Sequence, residues 1–417
     1  MGIFSVWPYA VLIGAAWLVL SAPVFRAVDE PHQHGRRTAT LDGLRGFLAL
    51  SVFAHHLVIT HGYIETGIWE LPPSAVYTLL GQIGVMLFFM ITGFLFWGKL
   101  LDSKGRPDWT ALYIGRIFRI GPMYLLAVGL MLAIVAWRTG FTLREPAWTV
   151  AAAALHWLAL GLSPLQPDVN GYSGTGLILA GVTWTIFVEW LFYGSLRLMA
   201  GAARGTPGGE PLRFAGGGLL LCLAVLAVAS WSAELSFARP TPGLLVAVLA
   251  ALFAAFFSGM ATACLVRRDA RPRLPDWAAS LLALACLATV FLAFGDMVGP
   301  LQIVLVAVFF ALVCDGGTLF GLLSTRPARR LSTISYSLYL MQGLVLTVVF
   351  AVPPVRGFAM AGPIRFWLVG GLCALLLLAV SAATYCLVER PGIALGRRVR
   401  SRQAGPPRTG LRGATVP

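Results

Sequence analysis

Charge is what this sequence has least of. Only 12% of its 417 residues are Asp, Glu, Lys or Arg, against about a quarter in soluble domains. That excludes a soluble fold with a large core, and with no polar domain to carry a basic stripe it argues against a nucleic-acid partner. Acid is scarcer than base, 17 Asp and Glu against 31 Lys and Arg. Cysteine is rare and scattered: all six lie in apolar runs and no C-x-x-C pair exists. A disulfide framework and a zinc site are both excluded by that pattern. No internal repeat of the kind common in transporters is present either.

What fills the chain is hydrocarbon, 58% of residues, with a mean hydropathy of +0.81. Runs long enough to cross about 30 Å of lipid fall near 5–25, 44–60, 77–98, 119–137, 180–200, 214–231, 243–266, 277–295, 299–323, 332–351 and 364–388. The expected fold is therefore all-α and polytopic, with eleven spans in the lipid bilayer. A shorter run at 148–163 is decided by the basic residues, which favour cytoplasmic loops. If it does not cross, 24 Lys and Arg fall on one side and five on the other, Arg138, Arg144, Arg239, Arg356 and Arg365. If it crosses, that bias is lost. We therefore read 138–180 as one extracytoplasmic excursion with a partly buried or re-entrant helix. The N-terminus is expected outside and the C-terminus in the cytoplasm. The first span has its positive charges after it, at Arg26, Arg36 and Arg37, which reads as an anchor rather than a signal peptide. The basic stretch 392–417, rich in Pro and Gly, is expected to be a disordered tail lying against anionic lipid.

Polar groups inside such spans are costly and tend to face a bundle interior or a wet cavity. The stretch LDGLRGFLALSVFAHHLVI, residues 41–59, places Arg45 and His56 eleven positions apart. At 100° per residue this is about 20° from three turns, so the two share a helix face, with His56 roughly 16 Å from Arg45 along the axis. Asp42 lies on nearly the same face, whereas His55 is turned about 100° away, toward a neighbouring helix. The pair is either a functional stripe or two hydrogen-bonded structural residues. In YIGRIFRIGP, residues 113–122, Arg116 and Arg119 stand one turn apart at a helix entrance, with Pro122 expected in the first turn. They can serve as a phosphate clamp or as ordinary positive-inside anchoring. Glu189, in VTWTIFVEWLFY, has no basic residue within a turn and needs a partner from another helix or a proton. SYSLYLMQ gives a polar helix start with Tyr336, Tyr339 and Gln342, and YCLVERP puts Glu389 at the cytoplasmic rim.

Taken together these motifs resemble the acyltransferase 3 family of membrane O-acyltransferases, which modify bacterial surface sugars. The match is carried by LDGLRG followed by His56 at Arg-x10-His spacing, by FFMITGFLFWGKL and GRIFRIGPMY, and by TWTIFVEWLFY, SYSLYLMQ and VERP in that order. The family usually has His where Gln342 stands. The resemblance implies a ten-helix acyltransferase domain over 41–391, preceded by one additional transmembrane helix and linker within 1–40. It implies acyl transfer, by default of acetyl, from acyl-CoA as co-substrate to a carbohydrate acceptor, at the inner membrane and with no metal. Under it His56 would be the base, Arg45 would orient the donor, Glu189 would hold the imidazole or the acceptor, and Arg116 and Arg119 would take CoA phosphates. Asp42, Tyr336, Gln342 and Glu389 are left as substrate-binding or structural. A transporter and a non-catalytic glycan-binding protein are the competing classes.

Overall fold

The computed structural model describes residues 2–29, 36–232, 241–268, 274–295 and 298–403. Among them the chain is helical, with one isolated bridge between Val169 and Tyr172. In chain order the helices are α1 (Trp7–Ser21), α2 (Arg36–Thr66), α3 (Ala75–Asp102), α4 (Trp109–Arg138), α5 (Ala147–Leu158), α6 (Trp184–Met199), α7 (Glu210–Ser232) and α8 (Pro242–Val266). They continue with α9 (Asp276–Ala293), α10 (Pro300–Cys314), α11 (Arg326–Thr333), α12 (Ser335–Phe350), α13 (Pro353–Met360), α14 (Pro363–Thr384) and α15 (Arg390–Gln403). Seven are long and apolar enough to cross a membrane, or eight if the α11–α12 pair, bent by 67°, is one span. The other three expected spans fall on α1, α6 and α10, of 15, 16 and 15 residues. At 1.5 Å per residue these reach only about 22–24 Å. This is a membrane protein whose short helices lean on the longer ones.

Close backbone approach, more than side-chain bulk, sets the packing around the site. A Cβ on Gly93 of α3 would lie 2.3 Å from the Phe256 carbonyl oxygen, and one on Gly259 of α8 would lie 2.0 Å from that of Met90. The two helices therefore touch backbone to backbone in both directions. The glycines of LDGLRG do the same work: a Cβ on Gly43 would meet the Leu323 carbonyl, and one on Gly46 the Leu331 side chain and Ser332 backbone. That lets α11 cross α2 beside Arg45. The bend before α12 is held from outside, because Arg330 of α11 is only 5% exposed and forks onto both Asp29 oxygens at 2.7 and 2.9 Å. The same guanidinium donates to the Leu20 and Ala22 carbonyls, so the end of α1 is tied to the bundle.

Two expectations change. Pro122 lies in the middle of α4, not its first turn, because that helix begins at Trp109 rather than at the hydrophobic edge. Residues 392–403 are helical in α15; Gly392 and Gly396 let it press against Pro122 and Phe118 of α4, and only 404–417 of the expected tail lie outside the described residues. The run 148–163 supplies α5, a helix of 12 residues with Ala153 and Trp157 buried, followed by a loop that turns back toward α12 at Ile178–Ala180.

Candidate active site

The imidazole of His56 is placed by α2 and oriented by α12. Its Nδ1 lies 3.3 Å from Gln342 Oε1, while Gln342 Nε2 donates to the Tyr339 carbonyl at 2.9 Å. Since the amide nitrogen is committed to a carbonyl, the amide oxygen must face the histidine, so Nδ1 donates and Nε2 carries the lone pair. Gln342 is fully buried, which leaves its amide no water to turn toward. Trp69 stacks on the ring at 6.3 Å and His55 meets it edge-on at 5.0 Å. His55 itself donates from Nδ1 to the Tyr77 carbonyl of α3 at 2.7 Å, the neighbouring-helix contact that its place on α2 led us to expect.

Both histidines line a chamber of about 440 Å³ between α2, α3, α8 and the 177–185 segment. Its wall is mostly apolar, and Thr185 and Tyr339 close one side of it. These two are joined through their hydroxyls at 2.9 Å. A smaller pocket of about 180 Å³ shares Trp69, Leu177 and Ala180 with the chamber and adds Tyr63, Tyr172, Arg138 and Arg356.

Glu189 sits one turn beyond Thr185 on the same face of α6. It accepts from Thr92 at 3.1 Å and from Tyr193 at 3.1 Å, and the charges that bear on it belong to Arg116 and Arg45. Of the two roles expected of it, to hold the imidazole or the acceptor, the first belongs to Gln342, and Glu189 is bound by α3 and its own helix. Glu389 is also relocated. It ends a π-helical turn, Tyr385–Glu389, which turns its side chain inward from the rim, where it is fully buried against Arg119 at 2.6 Å and accepts from Ser337 at 2.7 Å. Arg119 lies over the Tyr336 ring at 5.8 Å, and the Tyr336 hydroxyl donates to the Ile120 carbonyl at 2.9 Å.

Arg45 lies in the field of Asp42, Glu189, Arg116 and Arg119, so three cations and three carboxylates, counting Glu389, converge between α2, α4, α6 and α12. Within this balanced set the Arg45 Nε is buried with no hydrogen-bond partner among the described residues. Arg116 and Arg119, expected to act together, are divided. Arg119 is turned into the bundle, whereas Arg116 lines an open cavity of about 230 Å³ with Lys99 and Arg400. Lys99 and Arg116 flank the Phe96 ring, each 4.9 Å from its centre. With Asp108 as its one carboxylate, the lining carries three cations against one anion, a positive balance that favours an anionic ligand. This cavity lies near the start of α4, and the Arg138 pocket at the other end.

Several partners were not found from sequence. Lys99, Arg400, Thr92, Tyr193 and Thr185 each sit in or beside a quoted motif, but only tertiary structure says which carboxylate or cavity each meets. No group of three or more metal-ligating side chains occurs among the described residues.

The family model for the acyltransferase domain of the acyltransferase 3 type matches residues 38–386. Acyltransferase MdmB of Streptomyces mycarofaciens is 28% identical over 162 residues, 38% of this chain and 38% of that protein. The chain thus spans well under half the length of this curated relative.

Proposed function

This chain belongs to the acyltransferase 3 family, and from that premise we propose that it moves an acyl group from cytoplasmic acyl-CoA to a hydroxyl of a carbohydrate, such as a surface glycan. The observation that carries the proposal is the His56 imidazole: its Nδ1 proton is spent on Gln342, its Nε2 is free to act as a base, and it stands in the wall of a ligand-sized chamber.

The roles follow from position. The donor phosphates sit on Lys99, Arg116 and Arg400 at the mouth, where Arg119 is no longer counted because Glu389 occupies it. The thioester reaches inward past Arg45 toward His56. The acceptor arrives from the other end, through the pocket where Trp69, Tyr63 and Tyr172 offer ring faces and Arg138 and Arg356 offer donors. Nε2 of His56 takes the proton of the acceptor hydroxyl as its oxygen bonds to the thioester carbon. Arg45, roughly 16 Å from His56 along α2, is too far from the reacting carbonyl to meet its charge; with a buried Nε that has no partner among the described residues, it orients the donor on its way in. The C–S bond then breaks, and the CoA thiolate recovers the proton from the imidazolium.

Mass spectrometry of surface glycans from cells carrying wild type or His56→Ala tests this. Loss of the acyl mass with normal membrane levels of the variant supports it. An unchanged acylation pattern overturns it and favours a binding or transport role.

A further inference from the structure

Resting on the acyl-CoA reading above, we propose that the chamber beside His56 is an acyl-chain pocket, and that the donor carries a hydrocarbon chain of several carbons rather than acetyl. The chamber holds about 440 Å³, more than ten times the ~30 Å³ share of one water. An acetyl methyl would leave nearly all of it unfilled. Volumes of this order are those of whole small-molecule sites.

The lining decides what fills it. Apolar side chains, Val52, Ile59, Val85, Met86 and Leu252 among them, form most of the wall. Of its polar members His55 is engaged with Tyr77, and Tyr339 and Thr185 with each other, which leaves few groups, Gln82 and the Nε2 of His56 among them. A sugar placed here would bury more hydroxyls than these groups can pair. The sugar has an alternative in the adjoining pocket, which carries Tyr63, Tyr172, Arg138 and Arg356. An apolar chamber that holds His56 and a more polar pocket therefore adjoin at Trp69, Leu177 and Ala180, as a transfer between an apolar chain and a polar acceptor requires. Two alanines one turn apart on α8, Ala247 and Ala251, also line the chamber. A larger side chain at either would take up part of its volume. A hydrocarbon chain could also come from a lipid-borne acceptor, and donor preference distinguishes the two sources.

The test is a binding titration of acetyl-CoA and hexanoyl-CoA to the purified full chain in lipid nanodiscs, with empty nanodiscs as the blank. Each methylene buried in the chamber strengthens binding by up to about fourfold, so hexanoyl-CoA is expected to bind wild type on the order of 10- to 100-fold more tightly than acetyl-CoA. In Ala251→Phe that preference should collapse while acetyl-CoA binding is kept. Ala247→Leu, on the same wall, should shorten it to a lesser degree and serves if the phenylalanine variant fails to fold. Equal affinity of wild type for the two donors overturns the pocket assignment and leaves the acyl-CoA reading standing. A preference unchanged in both variants overturns it as well and gives the chamber to the acceptor's lipid. Failure of either donor to bind would sink the acyl-CoA reading itself.

Discussion

A buried imidazole acts as a base only once its tautomer is fixed. In this chain a neutral amide does that work where the family usually has a second histidine. Gln342 is sufficient because the task at Nδ1 is to accept one hydrogen bond. Gln342→Leu should therefore lower kcat for acyl transfer roughly tenfold, the worth of one hydrogen bond of about 1.4 kcal/mol, with little change in donor KM. Gln342→His should restore most of the rate, since its unprotonated ring nitrogen can accept from His56. A kcat for Gln342→Leu equal to wild type would show that the tautomer needs no help from α12. The shared face of Arg45 and His56 was legible because eleven residues is a helical period. The partner of His56 was not, because Gln342 lies 286 residues away and sequence spacing carries no information across helices.

The same limit separated Arg116 from Arg119. One turn apart in sequence, they read as a clamp, yet Glu389 at the far end of the chain claims Arg119. Arg116→Lys should weaken acyl-CoA binding by about 1–2 kcal/mol, the loss of a charge-assisted contact, because a lysine keeps the charge but not the guanidinium fork. Arg119→Lys should leave donor affinity near wild type and lower thermal stability instead. Titration of acyl-CoA against initial rate, together with unfolding midpoints of both variants, checks the division. Equal loss of donor affinity in the two would return Arg119 to the donor site.

Between elements, glycine and one ion pair carry the argument. Gly259→Ala places a methyl group against the Met90 carbonyl, backbone that cannot rotate aside, and should cost on the order of 1–3 kcal/mol in stability. Periodicity could locate α3 and α8 but gave no hint that they touch backbone to backbone. The clasp of α1 onto α11 has a pH dependence with a definite sign. The Arg330 fork holds the Asp29 carboxyl below its usual range, so the stabilisation is complete above about pH 4, the unfolded value, and is lost as pH falls through the lower folded one. Asp29 is half exposed, which limits the effect to about 1 kcal/mol or less. Wild type should unfold at a higher temperature than Asp29→Asn at neutral pH, and the gap should narrow below pH ~4. A gap independent of pH would mean that the Asp29 charge does not carry the clasp.

At the scale of the whole molecule the hydropathy runs located the helices well and their lengths poorly. Lipid contact demands apolar side chains, whereas α3 continues through a polar end to Asp102 and α4 begins ahead of its run at Trp109, capped by Asp108, where capping and tertiary contacts decide. The orientation in the membrane rests on a different physical quantity, the placement of Lys and Arg. It hinges on α5. At 12 residues that helix is about 18 Å long, well short of the ~30 Å hydrocarbon core, and its loop returns against α12 rather than continuing across. With α5 on one side, 24 basic residues share the side opposite to Arg138, Arg144, Arg239, Arg356 and Arg365. In the proposed orientation the mouth with Lys99, Arg116 and Arg400 faces the cytoplasm, the side of the proposed donor, and the pocket with Arg138 and Arg356 faces out. A topology reporter fused within 267–276 should accordingly read cytoplasmic, and one within 164–176 extracytoplasmic. If both read cytoplasmic, the chain crosses at α5 despite its length. The donor mouth and acceptor pocket would then have to be reassigned before any of the kinetic variants could be interpreted.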